Sequence, residues 1–327
     1  MTAEFGMRDI RDAAERLAGR VVHTPVLHAP MLDALAGCRV LVKAEALQRT
    51  GSFKFRGALN AMLQLGDHAR VRGVITYSAG NHGHAVAAAA REAGCPAVIV
   101  LPTTAPAIKV ENCRWWGAEV VLYDPAVQDR EAVCRAIAEP RGLHLVPPFD
   151  DLAVMAGQGT AGLEFTAQLD ALGARPDAFL VCCSGGGLAA GAATAIRARF
   201  PEADCHVVEP AGLDKMARSL ASGVPERRPA EPATLMDGIA GPVAGARPLA
   251  VLRRLGATGL TVTDDAALAA MAAAFRFLKL VLEPGGAAAL AAVLADPGRF
   301  AGRAVAVIGT GGNVDADLFA RALSPRP

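Results

Sequence analysis

One lysine stands out for the chemistry its neighbours would allow. In Thr50-Gly51-Ser52-Phe53-Lys54-Phe55-Arg56-Gly57-Ala58-Leu59-Asn60, the amine of Lys54 lies between two phenylalanines at the mouth of a helical run. Apolar surroundings disfavour an ammonium, lower its pKa and leave a neutral amine that can condense with an aldehyde as a Schiff base. The plainer alternative is a lysine capping the first helical turn. Two glycine turns offer complementary chemistry. Ser184-Gly185-Gly186-Gly187-Leu188 follows the apolar run Phe179 to Cys183 and leads into a helical pattern from Ala189 to Arg199. Such a turn aims backbone N–H groups and the positive end of a helix at one spot, which suits a phosphate. Gly185-x-Gly187-x-x-Ala190, with Glu209 about twenty residues further on, also fits a loose dinucleotide fingerprint, and the local sequence leaves both open. Ser78-Ala79-Gly80-Asn81-His82-Gly83 joins strand to helix in the same way and suits a carboxylate. Helix capping is the ordinary alternative for Asn81 and His82.

The elements that must position these residues alternate along the chain. Apolar residues at helical spacing from Arg8 to Arg20 predict an amphipathic helix, which His23-Thr24-Pro25 breaks into an extended segment. From Val40 onward, short apolar runs alternate with helical patterns at intervals of roughly thirty residues, the mark of βαβ units in a parallel sheet covered on both faces. The predicted strands are Val40 to Lys43, Gly73 to Tyr77, Ala97 to Leu101, Glu119 to Tyr123, Leu143 to Val146, Ala178 to Cys183, Cys205 to Val208, Leu260 to Val262 and Ala304 to Ile308. Ser222 to Pro232, with three prolines and several charges, predicts a long surface loop. Periodicity alone gives an α/β chain in two lobes.

Composition narrows the function classes. The 327 residues are 52% hydrophobic and 20% charged, as in a globular protein with room for two domains. A net charge of +1 gives no field to recruit nucleic acid or an anionic membrane. There is no basic, apolar leader over residues 1–10 and no unbroken apolar run long enough for a bilayer, so a cytoplasmic protein is expected. The seven scattered cysteines fit a reducing compartment, and with no CxxC or HxxxH pair a structural zinc site is not expected.

Taken together, Lys54 and the two distant glycine turns resemble the fold type II family of pyridoxal-phosphate enzymes, in its serine/threonine dehydratase and serine racemase branch. Ser52 to Ala58 is similar to the branch's cofactor-lysine motif and Ser78 to Gly83 to its substrate-carboxylate loop. The likeness runs from about Arg8 to about Asp315. It implies a tryptophan synthase β-like fold: a large domain of residues 1–64 and 152–327, a small inserted α/β domain of 65–151, and pyridoxal 5'-phosphate in the cleft between them. It implies that Phe53, Lys54, Asn81, Ser184, Gly185, Gly186, Gly187, Leu188, Glu283 and Thr310 surround the cofactor, with Lys54 also catalytic. Ser78, Ala79, Gly80, Asn81 and His82 would hold the substrate carboxylate. Glu283-Pro284-Gly285-Gly286-Ala287 is similar to a turn that brings a glutamate near the ring; its plain alternative is a solvated acid at a helix end. Thr310 stands where the family usually has Ser or Cys facing the pyridine nitrogen, and its neutral hydroxyl does not enforce a pyridinium. A regulatory appendage like that of some biosynthetic threonine deaminases is not expected, and a homodimer is implied by analogy.

Two departures from the branch bear on activity. Its racemases place a serine, as second acid/base, directly before the Gly-Asn-His; here that residue is Ala79, whose methyl cannot return a proton. The branch often binds a divalent cation through a glutamate, here Glu209, and a carboxylate six residues on, where this chain has Lys215, with Asp214 beside it. No metal is therefore expected. The implied activity is an ammonia-lyase that converts a small β-hydroxy amino acid, such as L-serine or L-threonine, to an α-keto acid. An amino-acid racemase, a β-replacement synthase and a nucleotide-binding module that is no enzyme are the alternatives.

Overall fold

The computed structural model describes residues 5–78, 80–105 and 107–324. Ten strands alternate with helices: β1 (Val26–Leu27), β2 (Arg39–Ala44), β3 (Val74–Tyr77), β4 (Ala97–Pro102), β5 (Glu119–Tyr123), β6 (His144–Leu145), β7 (Ala178–Cys182), β8 (Asp204–Pro210), β9 (Thr258–Val262) and β10 (Ala304–Gly309). They form a six-stranded sheet in the order β1-β2-β10-β7-β8-β9 and a four-stranded sheet in the order β5-β4-β3-β6. Every pairing is parallel except β1 with β2. Each strand expected from the sequence is present, with small shifts at the ends. β1 is additional: two residues after Pro25 are too short to leave a periodic signal, and pairing with Lys43 and Val42 creates the strand.

Both faces of the large sheet are buried, which is why its strands read as unbroken apolar runs. In β2, Val40 and Val42 enter one core while Leu41 enters the other, and in β10 Val305 and Val307 oppose Ala306 and Ile308 in the same manner. The small sheet repeats the pattern, with Ile99 and Leu101 on one side and Val98 and Val100 on the other.

The helix Lys54–Leu63 is wedged between the layers of the two sheets. Phe55, Ala58, Leu59 and Met62 pack with Val74, Ala85 and Ile99 of the small-sheet core. Its other face meets the long helix Leu152–Ala171, where the Gly57 N–H donates to Gln158 Oε1 at 3.2 Å. A Cβ on Gly157 would stand 2.6 Å from both Gly57 Cα and the Arg56 carbonyl oxygen, so glycine is what lets the two helices approach. Among the described residues, no helix is long and apolar enough to cross a membrane.

Candidate active site

A cavity of about 490 Å³ opens at the carboxyl ends of both sheets, where strand-following loops leave backbone groups unpaired. Lys54 is brought to it by the ends of the central strands. Ser52 bridges Gly311 just beyond β10, and the Phe53 N–H donates to the Thr310 carbonyl at 3.1 Å. The preceding turn includes Thr50 at φ 63, a left-handed conformation that threonine rarely adopts. It is held there by Asn313, whose amide donates to the Thr50 carbonyl at 2.8 Å.

The Lys54 side chain is only half-buried because it opens into the cavity, and its Nζ donates to the Pro148 carbonyl at 2.8 Å. The Phe53 ring centroid is 5.2 Å from the same nitrogen. Among the described residues no carboxylate pairs with it. Desolvation therefore lowers the Lys54 pKa to about 8, opposed by the nearby Cys182 thiol.

The two glycine turns face the same space. Ser184, Gly185, Gly186, Gly187 and Leu188 all line the cavity, and the helix Gly187–Arg199 starts inside the turn, two residues earlier than its apolar pattern suggests. Gly186, at φ +97, takes a backbone shape that other residues avoid, and it caps a helix whose first N–H groups have no partner within the helix. Ser184 Oγ accepts from the Gly241 N–H at 3.1 Å, and the Gly185 carbonyl from the Gly245 N–H at 2.9 Å. At the small sheet, the helix Asn81–Ala93 likewise starts inside the motif, so Asn81 and His82 belong to its first turn rather than to a loop. Ser78, Gly80, Asn81 and His82 line the cavity; Ala79 lies outside the described residues.

Glu283 begins the helix Pro284–Ala295 rather than ending one, and is half-buried at the cavity wall. Asn81 Nδ2 donates to Glu283 Oε1 at 2.6 Å, while Asn81 Oδ1 accepts from Asn313 at 2.7 Å. Burial pushes the Glu283 carboxyl up to about 7, against the pull of Asn81. His82 is buried; its Nε2–H donates to the Val146 carbonyl at 3.0 Å and its Nδ1 has no partner. Desolvation, with Lys54 nearby, lowers its pKa to about 3, so the ring is neutral. Thr310 is buried at the wall of the same cavity, its hydroxyl 3.2 Å from Cys182 Sγ.

The cavity thus collects every expected site residue that is described: an amine, a glycine cradle at a helix start, a second helix start and a buried hydroxyl. Sequence reasoning missed Cys182 as the neighbour of Thr310, and Tyr77, Lys109, Arg130 and Phe149 as wall residues. These carry no local motif. Only their positions at or beyond strand ends could have pointed to them.

Known proteins share this sequence pattern and fold. The model of the family described as "Pyridoxal-phosphate dependent enzyme" matches residues 17–311. An L-threo-3-hydroxyaspartate ammonia-lyase from Pseudomonas sp is 42% identical over 318 residues, covering 96% of this chain and 97% of that one. The solved structure of maize serine racemase superposes with a TM-score of 0.91 at 35% identity, covering 98% and 97% of the two chains. The crystal structure of a threonine deaminase from T.th. does so at 0.89 and 43%, covering 95% and 99%.

Proposed function

The chain belongs to the pyridoxal-phosphate dependent enzyme family, and from that premise we propose an ammonia-lyase that acts on a small β-hydroxy amino acid by α,β-elimination. Pyridoxal 5'-phosphate is its cofactor, and when bound it supplies a ring that accepts the electron pair left at Cα. The residues present fit that group. Lys54 offers a primary amine with no acid partner among the described residues, and the N–H groups from Gly185 to Leu188 offer a helix start to the phosphate. Thr310 offers a neutral hydroxyl to the ring nitrogen, and Asn81 an amide to the ring oxygen.

Lys54 carries the assignment. Its amine opens into the cavity with burial holding its pKa near 8, the range a general base needs at neutral pH. With cofactor and substrate bound, the Lys54 amine would take the Cα proton, and the β-hydroxyl would leave with a proton as water. The first-turn N–H groups beside Asn81 and the Ser78 hydroxyl hold the substrate's α-carboxylate, while the neutral His82 adds no competing charge.

Within this substrate class we favour 3-hydroxyaspartate. Such a substrate brings a second carboxylate, and Arg130 on the small-sheet wall is a cation with no acid partner among the described residues, stacked 5.1 Å over the Tyr77 ring. Lys109, by contrast, already faces Asp237 at 3.8 Å. Elimination is preferred to racemisation because residue 79 is alanine, which cannot supply a proton to the face opposite Lys54.

The test is incubation of the holoenzyme with L-serine, L-threonine and the 3-hydroxyaspartate isomers, measuring 2-oxo acid and ammonia. Equimolar release, fastest with 3-hydroxyaspartate, is expected. Accumulation of the opposite enantiomer on a chiral column, without 2-oxo acid, would overturn the proposal.

A further inference from the structure

A second buried cation lies behind the cavity wall. Lys215 is fully enclosed at 0% exposure, and so is Glu209 at the end of β8. The Lys215 ammonium donates to Glu209 Oε1 at 3.2 Å and to the Ile239 carbonyl at 3.4 Å. The carboxylate is otherwise anchored by backbone, taking the Met216 N–H at 3.0 Å and the Ala217 N–H at 2.9 Å. Ile239 belongs to the Asp237–Ile239 turn, which lines the cavity. Two residues further on, the Gly241 N–H reaches Ser184 at the head of the glycine cradle. A single ammonium therefore ties a strand end of the large sheet to the loop that covers the cradle.

This is where the family resemblance implies a divalent cation, and the residues present do not fit one. A dication needs several oxygen ligands and usually more than one carboxylate. Here the Glu209 carboxylate is already neutralised, and the neighbouring position is itself positive. Among the described residues no group of three or more His, Cys, Asp or Glu could hold a metal. Asp214 turns outward to Arg218 at 3.7 Å.

We infer that Lys215 is a tethered stand-in for that cation: its ammonium joins Glu209 to the Ile239 carbonyl and positions the cavity loop, making the enzyme independent of divalent metal. An acid in its place would recreate a site that needs one. Lys215 is a positioning residue, since it touches the loop and not the cavity. The activity arm of the test rests on the proposed elimination, whereas the thermal and binding arms do not.

The experiment compares wild type, Lys215→Met and Lys215→Asp in EDTA and in Mn²⁺, by melting temperature, Mn²⁺ equilibrium dialysis and 2-oxo acid release. Wild type should show no shift between EDTA and Mn²⁺ and bind no ion. Lys215→Met leaves Glu209 buried and unpaired, so its melting temperature should fall by about 5–10 °C in either solution. Lys215→Asp should bind about one Mn²⁺ per chain, regaining about 5 °C and its activity only with the ion. Stoichiometric Mn²⁺ binding by wild type with a raised melting temperature would overturn the inference, as would a Lys215→Met protein as stable as wild type. The wild-type arm decides even if neither variant folds.

Discussion

Lys43 and Lys54 come from neighbouring parts of the chain, yet the fold gives them opposite surroundings. Lys43, at 0% exposure, points from β2 into a cluster in which Glu45, Arg56, Glu164, Gln168 and Thr24 satisfy one another. Its amine bonds Glu164, the Gln168 amide oxygen at 2.7 Å and the Thr24 carbonyl at 2.6 Å. Arg56, at 1% exposure, reaches both oxygens of Glu45, at 2.8 and 2.7 Å. Lys54 has a carbonyl, an aromatic face and an open cavity. Desolvation is the largest influence on both lysines and lowers both, but Glu164 and Glu45 oppose it only at Lys43. Burial alone therefore does not make a lysine reactive. Withholding its acid partner does: Glu45 and Glu164 bond Arg56 and Lys43 and do not reach Lys54.

The largest effect expected from this contrast is at Lys54 itself. Lys54→Ala should lower 2-oxo acid release by at least about 10⁴-fold and abolish the yellow colour of the bound cofactor. Lys43→Met should keep the colour; a colourless Lys43 variant that still folds would break the distinction.

Next in size is Arg56→Met, which takes from Glu45 the one cation bonded to both its oxygens and leaves only the Lys43 charge nearby. Urea denaturation should show a loss of about 3–5 kcal/mol, as for other half-removed buried pairs. A loss below about 1 kcal/mol would mean that the cluster is more hydrated than its burial indicates.

Arg130 sharpens the comparison from the cavity side, since it too has no acid partner among the described residues. Arg130→Met should lower kcat/KM for 3-hydroxyaspartate by about 10²-fold and change that for serine little. Equal losses on both substrates would assign it to the wall and not to selectivity.

The smallest effect is in pH. Because the Lys54 pKa is depressed to about 8, its neutral form gains population as pH rises and reaches one half at about that pH. Cofactor uptake by the apoenzyme, followed by absorbance, should speed up about tenfold from pH 7 to pH 9 and then level. A flat profile would show an amine already neutral at pH 7. The linked stability has the same sign: the unfolded state binds more protons between the two pKa values, so burial of Lys54 costs most below pH 8. Lys54→Met should accordingly raise the apoenzyme's melting temperature at pH 7 by a few degrees, as differential scanning calorimetry can check.

Much of the scaffold was legible because its signals are local. Apolar runs bounded by proline or glycine marked β4, β7 and β10, and strand-glycine-helix junctions marked Ser78 to Gly83 and Ser184 to Leu188, since both periodicity and turn chemistry operate over a few residues. Helix starts were less clear. Asn81 and Gly187 enter helices inside their motifs, and at Gly187 the Phe149 backbone stands where a Cβ would go, a contact that no short window records.

The sequence by itself determined the alternation of strands and helices, the three chemical motifs and the replacements at Ala79 and Lys215. Which cation meets which acid was decided only in three dimensions. Lys43 meets Glu164, Lys215 meets Glu209 and Ile239, and Lys54 meets Pro148. Most of these partners are far apart along the chain, and the energy of a buried charge depends on the few ångströms around it, a distance that packing sets and residue order does not record.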